Sequence, residues 1–154
     1  MDVHKEQVTV CVLLGEPGKK TLKQTRVFRT FTRDLMELAS WLQSLEVTTI
    51  GMESTGVYWK PVYAVLEAAG GFSLVVGNAQ HIMNVPGRKT DESDAEWLAK
   101  LLRFGLVKPS FVPPRFFREL RQMTRYRRNL VQTRASEQNR VEKHLQIEIG
   151  RAHV

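Results

Sequence analysis

The chain has 154 residues, 42% of them apolar, a net charge of +7 and a single cysteine, Cys11. That length suits one domain of ordinary size with its own core. One cysteine excludes an internal disulfide or a cysteine zinc site, no apolar run approaches the roughly 18–20 residues that span a bilayer, and the polar start MDVHKEQ does not read as a signal peptide. The expected location is the cytoplasm, with no membrane partner and with Cys11 as a small apolar strand residue.

In chain order, VTVCVLL (8–14) is a β-branched apolar run and predicts a strand. EPGKK (16–20) predicts a turn around Pro17 and Gly18. KQTRVFRTF (23–31) alternates polar with apolar residues, as a second, antiparallel strand would. Thr32 is expected to cap a helix in which Leu35, Met36, Leu38, Ala39, Leu42 and Leu45 fall at helical spacing. TTIGME (48–53) reads as a short buried strand, followed by a helix over about 57–69 that Gly70 and Gly71 stop. FSLVV (72–76) predicts another strand, NAQHIMNVPGRK a loop with one helical turn, and 91–104 a further helix. His81 reads as a structural residue of that loop, and Tyr58, Trp59 and Trp97 as core.

KPSFVPP (108–114) is a proline-rich break and a plausible domain edge. From Arg115 to about Leu145 the pattern is helical again. Its apolar stripe (Phe116, Leu120, Met123, Leu130, Val131, Val141, Leu145) is thin and interrupted by Arg127 and Arg134, which suits a coiled-coil or docking seam better than a buried helix. The order of elements predicts a mixed α/β sheet with helices on its faces, followed by a basic helical arm.

Charge is uneven along the chain. Residues 115–145 carry nine basic residues (Arg115, Arg118, Arg121, Arg125, Arg127, Arg128, Arg134, Arg140, Lys143) against three acids, which accounts for +6 of the +7. An excess dominated by arginine points to a polyanion, because the planar guanidinium forks onto phosphate oxygens. A merely solvated face would mix both signs. Nucleic acid is the expected partner of the arm.

Four acids stand where strands end or helices begin: Asp2, Glu53, Asp91 and Asp94. Asp91 and Asp94 are one turn apart at an expected helix start, so their carboxylates would share a face. Phosphodiester chemistry on two Mg²⁺ ions about 3.5–4 Å apart needs carboxylates converging from different elements. The same acids also read as helix-start residues: Asp91 as an N-cap, Asp94 completing a capping arrangement, Glu92 favoured by the helix dipole.

Three stretches in order, DVHKEQVTVCVL, MESTGVYW and GRKTDESDAEWLA, resemble the N-terminal domain of the DEDD insertion-sequence transposases, the Piv-invertase-like family. The resemblance runs over about residues 1–145. It implies an RNase H-like, RuvC-like fold and a tetrad of Asp2, Glu53, Asp91 and Asp94 that is catalytic and binds Mg²⁺ or Mn²⁺. It implies a transposase or site-specific recombinase that cleaves and exchanges DNA strands in a bacterial or archaeal cytoplasm. For some relatives it also implies a structured guide RNA. Arg88 and Lys89 read either as phosphate contacts beside the acids or as a solvated loop, and His4 and Lys5 follow the family pattern. The family's coiled-coil insertion matches the arm, which is expected to pair with a second copy.

The expected division is a catalytic domain over 1–108 with an incomplete first strand, a basic helical arm over 109–148, and an adapter-derived end over 149–154. That last expectation arises because IGRAHV can be encoded by ATC GGA AGA GCA CAC GTC, part of a common sequencing adapter. The family's second domain, which carries a nucleophilic serine, is expected to be missing, so these 154 residues are expected to be inactive alone. Ser40, Ser44, Ser54, Ser73, Ser93, Ser110 and Ser136 lack a matching context, and none is assigned as nucleophile. Alternative readings are a RuvC-like Holliday-junction nuclease using the same acids and a non-catalytic nucleic-acid-binding module.

Overall fold

The computed structural model describes residues 1–15, 21–87 and 93–152. The expected turn at 16–20, together with Arg88, Lys89, Asp91 and Glu92, lies outside the described residues. The chain forms two units, Met1–Phe111 and Val112–Val154, and the division falls inside the proline-rich stretch.

In the first unit, β1 (Asp2–Val3), β2 (Gln7–Leu14) and β3 (Leu22–Arg29) form an antiparallel sheet in that order. Cys11 faces Thr25 across the β2–β3 ladder. In β2, Val8, Val10, Cys11 and Val12 are all buried, so this strand is covered on both faces. In β3 only Phe28 is buried, as suits an edge strand with one wet face. A second sheet pairs β4 (Thr49–Glu53) in parallel with β5 (Ser73–Gly77). The two sheets meet where the amine of Met1 donates to the carbonyl of Gly51 at 2.8 Å.

Helix α1 (Thr32–Ser44) buries Leu35, Leu38, Ala39 and Leu42 of the expected stripe, whereas Met36 is exposed and Leu45, half-buried, is the C-cap. Its N-cap is Phe31, in extended conformation and without a side-chain cap bond; Thr32 is already the first helical residue, which corrects the expected cap. Helix α2 spans Trp59–Ala69, buries Val62 and Leu66 and ends at Gly70, whose positive φ of 70° a glycine accepts without strain. It starts later than expected because Gly56, at φ 58°, turns the chain just ahead of it. The expected helical turn in the loop is α3 (Ala79–Met83), capped by the Asn78 side chain.

Helix α4 spans Asp94–Arg103 and buries Ala95, Trp97, Leu98 and Leu101. Ser93 is its N-cap, its hydroxyl oxygen accepting from the Glu96 N–H at 3.3 Å. The helix therefore opens at Asp94, not at Asp91 as the spacing predicted. Lys23 on β3 reaches Glu96 at 2.8 Å, and Arg103 bonds the Thr21 hydroxyl at 2.6 Å, fixing both ends of α4 to the β2–β3 hairpin. That hydrogen bond from Lys23 holds the Glu96 carboxyl below its ordinary range.

In the second unit, α5 is one helix over Arg115–Ala152. Its side chains are exposed from Arg115 to Arg151, with Arg118 half-buried. Ion pairs Arg115–Glu119 (2.7 Å) and Arg140–Glu137 (2.8 Å) run along its surface. Among the described residues, no helix is long and apolar enough to cross a membrane.

Gly77 closes β5 under α3. A Cβ there would stand 2.8 Å from Val107 Cγ1 and 2.9 Å from Ile82 Cδ1. Gly77→Ala is therefore expected to lower stability by about 1–3 kcal/mol through overpacking, read as a lower urea midpoint at an unchanged m-value.

Candidate active site

Asp2 is carried on the short strand β1, which pairs Asp2 with Thr9 and Val3 with Val8. The turn beyond it is closed by the His4 N–H donating to the Gln7 carbonyl at 2.9 Å. Asp2 and His4 are two residues apart in near-extended chain, so their side chains lie on one side. His4 Nε2 is 3.0 Å from Asp2 Oδ2.

Glu53 is the last residue of β4, paired with Gly77 of β5. The next N–H, that of Ser54, donates to the Gly77 carbonyl at 2.9 Å, so the backbone is held on both sides of this carboxylate. The Thr55 hydroxyl donates to Glu53 Oε1. Asp94 is the first residue of α4, placed there by the Ser93 cap.

These three acids line one cavity of about 620 Å³. Its wall also includes His4, Lys5, Thr55, Tyr58, Ile82, Met83 and Trp97. Asp2 and Glu53 are half-buried and Asp94 is exposed. The cavity therefore gathers three of the four expected acids; the fourth, Asp91, lies outside the described residues, as do Arg88 and Lys89. Among the described residues, no group of three or more His, Cys, Asp or Glu side chains is close enough to hold a metal ion. The donor chemistry of the wall, carboxylates and a threonine hydroxyl, suits a hard cation such as Mg²⁺.

Trp97 is core, as expected: it is buried, and its Nε1–H donates to the Ile82 carbonyl at 3.3 Å. Trp59 is half-buried and packs edge-on against Tyr63. Tyr58 departs from the expectation, being 44% exposed and lining the cavity. It sits at the N-cap of α2, before the stripe that packs inward. His81 is an exposed residue in the last turn of α3. Thr55 and Tyr58 were not singled out as site residues; the signal available was their position just past a strand-ending acid, in ESTGVY.

The arginines expected to bind nucleic acid (Arg115, Arg118, Arg121, Arg125, Arg127, Arg128, Arg134) all belong to α5. Arg118 donates to the Pro113 carbonyl at 2.9 Å and so anchors the start of the helix. Among the described residues Arg121, Arg125, Arg127, Arg128 and Arg134 enter no ion pair, which leaves their guanidinium groups to solvent.

A mixed α/β unit with carboxylates from two strands and a helix start around one cavity is compatible with the RNase H-like class of nucleic-acid enzymes. Residues 1–148 match a family model described as Transposase, the DEDD family of IS110 type. The chain belongs to this family of insertion-sequence transposases, whose members are generally dependent on a divalent metal and have DNA as their partner. No curated protein matches the chain.

Burial lowers the Met1 amine from 8.0 to about 6, against the opposing pull of Asp2, Cys11 and Glu53. The unfolded chain therefore holds more protons than the folded one between these values, so this group makes stability rise with pH across that window. The full contribution is present above pH 8 and lost as pH falls through 6. We expect up to about 2–3 kcal/mol from it, seen as a rise in urea midpoint between pH 6 and 8.

Proposed function

We propose that this chain supplies the metal-dependent, DNA-cleaving centre of an insertion-sequence transposase, with Asp2, Glu53, Asp91 and Asp94 as ligands for Mg²⁺ or Mn²⁺. The observation that carries this reading is that Asp2, Glu53 and Asp94, far apart in sequence, line a single cavity. The bound cations would supply Lewis-acid stabilisation of a phosphodiester undergoing in-line displacement. Glu53 is held for this role by the β4–β5 ladder, and Asp94 by the capped start of α4. Lys5, on the same wall, supplies a positive group for the substrate's phosphates.

The arm holds nucleic acid through phosphates and pairs with a second copy through Leu120, Leu130, Val131 and Val141, all exposed on α5. Its aromatics, Phe116, Phe117 and Tyr126, are too few for a long stacking track. A structured guide RNA is as good a ligand for these arginines as DNA, since both present phosphate oxygens.

Metal that binds only the folded state stabilises it by mass action. Adding Mg²⁺ or Mn²⁺ is therefore expected to raise the melting temperature of the 154-residue chain, and Asp94→Asn or Glu53→Gln to shrink that rise. An undiminished rise in both variants counts against these ligands.

Binding by the arm is expected to weaken steeply with salt, each phosphate contact adding roughly 0.9 to the log–log slope on duplex and about 0.7 on single strands. Replacing Arg125, Arg127 and Arg128 together by Ala should lower that slope by about 2–3 units if all three touch phosphate. A salt titration of oligonucleotide binding measures it, and a triple variant that binds like the parent rejects the assignment.

A further inference from the structure

Glu53 does not stand alone at the end of its strand. The Thr55 hydroxyl donates to its Oε1, across a single intervening residue whose own N–H is fixed to Gly77 of the neighbouring strand at 2.9 Å. The hydroxyl is thus mounted on backbone that the β4–β5 ladder holds. Gly56, at φ 58°, turns the chain immediately afterwards, so Thr55 stays beside the strand end it follows. Thr55 also lines the cavity itself, which places the bond at the wall facing the other acids. An unrestrained glutamate has three side-chain torsions to fix when it takes up a ligand geometry. A donor on one oxygen removes much of that freedom and leaves the second oxygen's lone pairs to be aimed.

We propose that Thr55 is a positioning residue for Glu53: its hydroxyl occupies Oε1 and orients the carboxylate so that Oε2 serves a divalent cation in the cavity. The inference deepens the metal reading and rests on it. Groups that hydrogen-bond to ligating carboxylates carry weight comparable with the ligands, and losing one typically costs 10–100-fold in metal affinity. The side chain that matters is the hydroxyl. Valine matches threonine in shape without it, and serine keeps it without the methyl.

The test is Mn²⁺ binding to the whole 154-residue chain by isothermal titration and by the loss of the free-ion electron paramagnetic resonance signal, for the parent, Thr55→Val and Thr55→Ser. We expect Thr55→Val to raise the Mn²⁺ dissociation constant by about 10-fold or more and Thr55→Ser to restore affinity to near the parent's. Melting in the absence of metal should differ little among the three, which separates positioning from a general loss of structure. A parent that binds Mn²⁺ and a Thr55→Val chain that binds equally well overturns the role of Thr55 alone. Equal weakening in Thr55→Val and Thr55→Ser overturns it too, because the hydroxyl then is not what matters. A parent that binds no Mn²⁺ overturns the metal reading and this inference together.

Discussion

The site depends on two short strands lying side by side. The Met1 amine bonded to the Gly51 carbonyl at 2.8 Å holds the start of β1, in one sheet, against β4, in the other. Asp2 is the next residue on one strand, and Glu53 lies two beyond Gly51 on the other. Their placement on one cavity wall thus follows from this backbone contact between the two sheets, not from any attraction between two carboxylates, which repel. Gly51 serves the same junction from a second direction. A Cβ there would approach Leu102 of α4 to 3.0 Å, so the missing side chain is what lets the helix lie close on β4.

Helix α4 then carries the third acid to the cavity. Its packing face is fixed by Ala95, Trp97, Leu98 and Leu101, and its first turn by Ser93. Glu96, in the same turn as Asp94, does not line the cavity; it pairs with Lys23 and with Lys100. Adjacent acids in DAEW thus have different tasks. Asp94 lies on the cavity wall, whereas Glu96 holds the helix to the β3 edge. Ion pairs of such exposed groups contribute little to stability, on the order of 0–1 kcal/mol, and their effect here is to set orientation.

Much of this was legible in the sequence because burial leaves periodic marks. The stripe Leu35, Leu38, Ala39, Leu42 and the run VTVCVLL identified α1 and β2 directly, and the polar–apolar alternation of β3 predicted its antiparallel pairing. The gathering of Asp2 and Glu53 was reached through resemblance, since no local pattern links residues some fifty positions apart. What sequence reasoning missed has local causes. Strand β1 has two residues, fewer than any periodicity can reveal, and only the resemblance pointed to an incomplete first strand. The start of α4 was misplaced because Asp91 and Ser93 both suit an N-cap, and the serine takes it. Tyr58, expected in the core, stands at the N-cap of α2, before the first inward turn, and so remains at the surface.

The distribution of charge separates two physical dependences in one chain. The excess of +6 in residues 115–145 belongs to a helix on which Arg121, Arg125, Arg127, Arg128 and Arg134 are exposed, and attraction for phosphate there is screened over roughly 10 Å at 0.1 M salt. The acids of the cavity belong to the first unit, where Asp2 and Glu53 are half-buried and a divalent cation would act at direct contact. On the proposed roles, monovalent salt would compete for the arm far more effectively than for the carboxylates. A hold on a polyanion that is additive over many weak contacts would follow ionic strength. A hold on a cation, which needs a few oxygens oriented together, would follow the restraint on each carboxylate.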